Sequence, residues 1–127
     1  MERYSLSIND EEVPVSTLEK LKEALNRTHG EYHEIWLAGS HGTAMMALTN
    51  QDQAWAMFLR NREDAGFSTR NPDVIGNPET SIEFLLSNGQ MDTYPAAWVV
   101  KKSEVMDALL HFFLTGEKSP HIAWCDN

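Results

Sequence analysis

The chain has 127 residues, of which 42% are hydrophobic, and nineteen acidic residues outnumber ten basic ones to give a formal net charge of −9. A domain of this length buries roughly two-thirds of the surface that its unfolded chain exposes, so a core needs neither disulfides nor a structural metal. The negative charge repels nucleic acid and anionic membranes, which excludes both as expected partners, and it attracts basic proteins.

The cysteine count and the absence of targeting patterns define the expected compartment. One cysteine, Cys125, is too few for an internal disulfide, and no segment matches a secretory signal or is apolar over the length of a bilayer span. We therefore expect a soluble protein of the reducing cytoplasm. The chain has no repeat, low-complexity tract or linker, so residues 1–127 are expected to form a single domain.

The first predicted elements are a strand and a helix. Residues 3–8 alternate between polar and apolar side chains, which is typical of a strand. Residues 16–19 match a capping box, which predicts a helix start with Ser16 as the N-cap, and Gly30 is expected to end this helix. Its apolar stripe is narrow, so the helix is expected to lie on the surface of a sheet.

The next segments change to a period of two. Residues 34–38, 43–49 and 54–59 are apolar segments separated by short polar turns. Turns of this length join neighbouring strands in an antiparallel arrangement, so the pattern predicts a three-strand meander.

Residues 61–79 form the longest stretch that is expected to be irregular, because glycines and prolines recur among polar side chains. Long loops inside compact domains are more often functional than short ones. We therefore treat this stretch as a candidate functional segment.

A hairpin is predicted after it. Residues 82–86 and 94–100 alternate on either side of Asn88-Gly89, a pair typical of two-residue hairpin turns. Pro95 has no N–H to donate, which places the second strand at an edge or at a bulge.

The C-terminal third forms one unit of helix and strand. Residues 103–115 are amphipathic and are expected to begin at Ser103 as N-cap and to end at Gly116. Pro120 prevents the helix from resuming, and residues 121–124 are expected to run extended back onto the sheet.

The order of these elements predicts an α+β fold. Two helices are expected to pack on one face of a curved, mainly antiparallel sheet of about six to seven strands. The other face is expected to be available to a partner.

Residues that could carry chemistry do not form a recognisable pattern. His29 and His33 are separated by a helix-ending glycine, so they do not share one helical face as a zinc pair needs. Cys125 lies near the end of the chain, and the carboxylate pairs Glu11-Glu12 and Glu63-Asp64 are in predicted turns without apolar walls to raise a pKa. We therefore expect no enzyme activity, no metal and no cofactor.

Residues 105–124 carry a resemblance to a known family. Phe112-Phe113 near the end of the helix, the stop at Gly116-Glu117, the proline at 120 and the final Trp124 strand resemble the closing segment of the type-one immunity proteins of bacterial polymorphic toxin systems. The resemblance covers about a third of the chain, and a further third resembles the family in its order of elements.

The resemblance implies a cytoplasmic antitoxin that binds the catalytic domain of a cognate secreted toxin and blocks it, with one copy of each partner. Toxins of these systems often attack nucleic acids, and nucleobase deaminases are frequent partners. The acidic composition agrees independently, because a nucleic-acid-modifying toxin presents a basic groove for which an acidic surface competes.

Acidic and aromatic residues in or beside the irregular segment are the expected toxin contacts. The carboxylates would enter the active-site cleft of the toxin, and aromatic side chains would anchor the interface. The plainer interpretation is a solvated loop charge for each carboxylate and a core position for each aromatic. The expected contacts are Glu63, Asp64, Asp73 and Glu79, with Trp55 or Tyr94 as the anchor.

Two other functions fit the same composition. A secretion chaperone is also small, acidic and α+β, but it is usually a dimer that holds an unfolded effector segment. A small-molecule-binding or hydrolytic domain would need a deep, polar pocket between the sheet and the helices. The sequence also leaves open whether a toxin would be blocked by direct masking or by an allosteric effect.

Overall fold

A computed structural model of the chain describes residues 4–28, 30, 32–61, 63–73 and 80–127. The described residues form two α-helices and a mostly antiparallel sheet, which confirms the predicted α+β class. In chain order the elements are β1 (Tyr4–Ile8), β2 (Glu11–Val13), α1 (Leu18–Asn26), β3 (Tyr32–Gly39), β4 (Ala44–Asn50), β5 (Gln53–Leu59), β6 (Phe67–Arg70), β7 (Ser81–Leu85), β8 (Met91–Pro95), β9 (Val100–Lys101), α2 (Lys102–Thr115) and β10 (Ala123–Asp126).

The main sheet has the strand order β10-β6-β5-β4-β3-β1-β2, and β9 pairs with the start of β5. The meander of β3, β4 and β5 is confirmed, with Trp36 opposite Met46 and Met46 opposite Met57. The eight strands of this sheet exceed the six to seven expected, because β2, β6 and β9 are too short to show a period. β7 and β8 form a separate two-stranded sheet.

The helices pack on one face of the main sheet, which we call the helix side. Leu37, Met45 and Phe58 lie opposite one another across β3, β4 and β5 and are buried against the helices. Phe112 of α2 is fully buried there, with its ring edge-to-face against Phe58 at 5.6 Å between centroids. Since side chains alternate along a strand, the residues between these face the opposite side.

The opposite face, which we call the hairpin side, is covered in part by β7 and β8. Phe84 of the hairpin is fully buried against Leu48, Trp55 and Val99. The described residues therefore contain two apolar clusters, one on each face of the sheet.

Both helices begin at positions other than those predicted. The N-cap of α1 is Thr17 and not Ser16, and the Thr17 hydroxyl accepts a hydrogen bond from the backbone N–H of Lys20 at 3.2 Å. The N-cap of α2 is Lys101, which has no side-chain capping bond, and Ser103 lies inside the helix. β9 pairs with β5 and is followed directly by α2. The start of this helix is therefore fixed by strand pairing and not by a capping hydroxyl.

Glycine is predicted to end both helices, but it ends only α2. Gly116 has a φ of 75° and ends α2 as predicted. The prediction that Gly30 ends α1 is wrong, because the helix ends at Asn26 with Arg27 as its C-cap. Neither described helix is long and apolar enough to cross a membrane.

Three further segments correct the sequence-based expectations. Residues 61–79 are not irregular throughout, because β6 lies within them and pairs with both β5 and β10. The returning hairpin strand ends at Pro95 and is followed by a 3-10 turn at Ala96–Trp98, so residues 94–100 are not one strand. The last strand begins at Ala123 and continues past Trp124, because its residues pair in register with β6.

Candidate functional site

The residues expected to contact a toxin do not converge on one place. Glu63 and Asp64 lie in the loop before β6, and Asp73 lies beyond the other end of that strand. Four strand residues span about 10 Å, so these acids flank opposite ends of β6. Glu79 lies outside the described residues.

Asp64 holds its own loop together. Its Oδ2 atom accepts hydrogen bonds from the backbone N–H of Arg60 at 2.9 Å and from the Nε of Arg60 at 2.8 Å, and its Oδ1 accepts from Nη2 at 2.8 Å. The Asp64 side chain is only 8% exposed. Hydrogen bonds from the Arg60 side chain and backbone hold the pKa of the Asp64 carboxyl well below its ordinary value. This carboxylate is therefore engaged within the chain.

Glu63 and Asp73 are exposed, and a turn orders the backbone at each. The N–H of Glu63 donates to Asn61 Oδ1 at 3.0 Å, and the N–H of Asp73 donates to Asn71 Oδ1 at 3.1 Å. Both side chains are thus accessible to a partner, but on separate parts of the surface.

Trp55 and Tyr94 form a stack beneath the hairpin. Their ring centroids are 4.2 Å apart and their planes differ by 10°. Trp55 is 5% exposed, so it occupies the core position that was its plainer interpretation. Tyr94 is half-buried, and its hydroxyl donates to Asp92 Oδ2 at 3.3 Å. Burial, followed by the charge of Asp92, raises the Tyr94 pKa.

Polar bonds fix the hairpin to the main sheet on either side of this stack. Glu34 Oε1 accepts from the backbone N–H of Ser87 at 3.1 Å, and its Oε2 accepts from Trp36 Nε1 at 2.9 Å. Asn50 Nδ2 donates to the backbone oxygen of Glu83 at 2.8 Å. The Glu34 carboxylate therefore orients Trp36 at the border of the hairpin.

Beyond Trp36 the hairpin side of the sheet is not covered by β7 and β8. The side chains there are half-buried and apolar, and an open cavity of about 350 Å³ lies beside them against the β3–β4 turn and Asn61. We call this region the open face and define it by Trp36, Ala38, Ala44, Met57 and Leu59.

The strands around the open face contribute few charges to it. Ser5 and Ser7 of β1 lie opposite Ala38 and Trp36, and Ser68 of β6 lies opposite Met57. By the same alternation, the charged side chains on this face of the strands from β2 to β6 are Glu12, Glu34 and Arg70. Glu34 is bonded to the hairpin at Ser87, and Arg70 Nη1 donates to Ser68 Oγ at 2.7 Å, beside Met57. Arg70 lies over the ring of Trp98, with its Cζ atom 4.2 Å from the ring centroid.

Trp36 and its neighbours are not among the site residues predicted from the sequence. The available signal was the alternation within β3, in which Leu37 occupies the helix-side core and Trp36 necessarily faces the other way. The sequence alone does not show how much of the hairpin side β7 and β8 cover.

The described part of the chain also contains a larger groove of about 680 Å³, lined by polar and apolar residues, beside the N-terminus of α2. Its titratable lining residues are Asp52, Lys101, Lys102 and Asp107. Lys102 Nζ donates to the backbone oxygen of Thr28, and burial lowers the Lys102 pKa against the opposing effect of Asp52.

The described residues do not group into a metal site. Across residues 4–28, 30, 32–61, 63–73 and 80–127, no three His, Cys, Asp or Glu side chains are grouped so as to hold a metal ion. Cys125 is exposed on β10.

The described residues therefore form an α+β fold with an open, mostly antiparallel sheet, two helices on one face and a hairpin over part of the other. No protein-family model matches this sequence, and no curated protein matches it significantly.

Proposed function

We propose that the protein is a cytoplasmic immunity protein that binds the catalytic domain of a secreted bacterial toxin, one copy to one, and masks its active site. It acts by binding and not by catalysis. The observation that carries the proposal is the C-terminal unit, in which residues 105–124 resemble the type-one immunity proteins and fold as α2, a glycine stop and a returning strand.

The residues behind the resemblance have structural roles in this unit. Tyr4 packs edge-to-face on Phe112, and its hydroxyl donates to the Phe112 backbone oxygen at 3.1 Å. Gly116 closes the helix with its N–H bonded to the same oxygen at 2.7 Å, and Trp124 Nε1 donates to Ser119 O at 2.8 Å. The resemblance therefore supports a fold and a general role, while the binding residues must lie elsewhere.

The charge of the chain supports the kind of partner. With a net charge of −9, the protein attracts a domain whose nucleic-acid-binding groove is basic, and such attraction speeds association. Exposed carboxylates such as Glu63 and Asp73 are accessible for this purpose. A nucleobase deaminase is one toxin of this kind.

The proposal is tested by co-expressing the protein with a candidate toxin domain taken from a gene that lies beside its own. The expected result is restored growth of the host cell and a complex containing one copy of each chain. A dimer of this chain that holds an unfolded effector segment would instead establish a secretion chaperone. Unrelieved toxicity together with no complex would reject the immunity function.

A further inference from the structure

We propose that the open face is the docking surface for the partner, and that the partner presents an apolar centre surrounded by basic groups. This inference rests on the proposed function, in which that partner is the toxin domain. It assigns the centre of the interface to Trp36, Ala38, Ala44, Met57 and Leu59, and not to the acidic segment around β6.

The composition of the open face is the first argument. Charged residues make up 23% of the chain, yet the five side chains that define this face include none, and their neighbours Ser5, Ser7 and Ser68 are small and uncharged. The cores of protein interfaces are depleted of charged residues and enriched in aromatic residues and methionine. Trp36 and Met57 are of these enriched kinds and are half-buried, whereas alanine and serine are depleted in interfaces, so the argument from composition rests on Trp36, Met57 and the lack of charge.

The rigidity of Trp36 is the second argument. Its Nε1 atom is bound by Glu34, and Glu34 is itself bound by the backbone N–H of Ser87. An aromatic side chain held in place before binding loses little conformational entropy when a partner packs on it. The cavity of about 350 Å³ beside Trp36 offers a recess for an apolar side chain of the partner.

The charge of the chain favours a basic partner over a second copy, and the area of the open face shows how much further surface the interface needs. Strands are about 4.8 Å apart with a rise of about 3.3 Å per residue, so three strands over a few residues present on the order of 200–300 Å². A stable interface buries about 800 Å² on each partner, so the surrounding surface must contribute. Two copies of this chain would bring together molecules that each carry a net charge of −9 over the whole chain, whereas a basic partner complements that charge.

The test measures the affinity of the catalytically inactivated candidate toxin domain for four variants. Met57→Glu and Met57→Lys place opposite charges at the centre of the open face, and Ala38→Arg is a second position in case the Met57 variants fail to fold. Thr93→Glu is the matched control, because Thr93 is exposed on the outer face of the hairpin. Thermal melting confirms that each variant is folded.

We expect Met57→Glu, Met57→Lys and Ala38→Arg each to weaken binding by roughly 10- to 100-fold, because a desolvated, unpaired charge is costly whatever its sign. Thr93→Glu should bind within about twofold of the wild type because it lies outside the interface. Folded Met57 and Ala38 variants that bind as tightly as the wild type would overturn the docking proposal while leaving the immunity function intact.

Two other results would overturn it differently. A wild-type chain that does not bind the toxin domain at all would remove the proposed function, and the docking surface with it. A wild-type dimer that dissociates in the Met57→Glu variant would show that a second copy occupies the open face.

Discussion

The indole ring of Trp55 lies parallel to the phenol ring of Tyr94, with 4.2 Å between their centroids. Trp55 belongs to the main sheet and Tyr94 to the hairpin, so this stack joins the two sheets directly. The contact explains why Trp55 cannot act as an exposed anchor, and it determines which half of the hairpin side is covered.

Replacing Tyr94 by Ala should loosen the hairpin, because the substitution removes the stack and leaves Trp55 uncovered. We expect a loss of about 2–3 kcal/mol in the free energy of unfolding. Tyr94→Phe keeps the ring and should lose less than Tyr94→Ala, about 1–1.5 kcal/mol, because it removes only the long 3.3 Å hydrogen bond to the Asp92 carboxylate. Urea unfolding measures both losses, and equal losses in the two variants would show that the stack contributes little.

The ion pair of Asp64 with Arg60 should make stability depend on pH. The folded-state pKa of Asp64 is lowered, so its contribution is present above the unfolded-state pKa of about 3.9 and is lost as the pH falls towards the folded-state value. We expect Asp64→Asn to have a lower melting temperature than the wild type near neutral pH, with the gap narrowing progressively below about pH 4.

The exposed neighbour Glu63 provides the control for this comparison. Glu63→Gln should melt within a degree or so of the wild type across the same pH range, because surface substitutions change stability little. A constant gap between wild type and Asp64→Asn down to strongly acidic pH would contradict the role assigned to the ion pair.

Gly66 should not tolerate a side chain. It has a φ of +78°, and a Cβ atom there would lie 2.6 Å from the backbone oxygen of Phe58 and 2.7 Å from Cδ2 of Leu59. We expect Gly66→Ala to cost at least about 2 kcal/mol, since strain in the left-handed region and a backbone clash add together.

Gly89 offers a matched comparison for that substitution. Its φ is +91°, but a Cβ atom there would meet nothing within 4 Å. Gly89→Ala should therefore lower the free energy of unfolding by only about 1 kcal/mol, the cost of its backbone conformation, as measured by chemical denaturation. Equal losses at the two glycines would show that the contacts with β5 are unimportant.

The acidic residues should affect how fast the complex forms more than how long it lasts. Replacing Glu63, Asp73 and Glu79 together by Ala should slow association and reduce its dependence on salt, because steering depends on net charge. Surface plasmon resonance at two salt concentrations measures association and dissociation separately. It therefore distinguishes the slower association of the triple variant from the faster dissociation expected of Met57→Glu. Unchanged association kinetics would remove these acids from the binding surface.

The elements that the sequence predicted well are those with strong periodicity. The meander and α2 have long, regular apolar patterns that only one arrangement can bury, and Gly116 ends α2 by its backbone conformation. By contrast, β6 contains Ser68 and Thr69, which are buried although polar. Thr69 accepts from the backbone N–H of Ala56 and donates to the oxygen of Trp98, so tertiary bonds make this strand.

The candidate site was harder to predict because it depends on contacts between distant segments. No local pattern in β5 indicates that a hairpin some 35 residues later in the chain will bury Trp55 while leaving Met57 accessible. The ion pair that engages Asp64 likewise depends on how the loop after β5 folds back on Arg60. Sequence reasoning therefore favoured charged loop residues over the uncharged sheet face.

The most direct test of the proposed immunity function is the mass of the species formed when the protein is mixed with the inactivated toxin domain, measured by light scattering during size-exclusion chromatography. We predict one peak whose mass is the sum of one copy of each chain. Two peaks at the separate masses, or a peak containing a dimer of this chain bound to an unfolded segment, would contradict it.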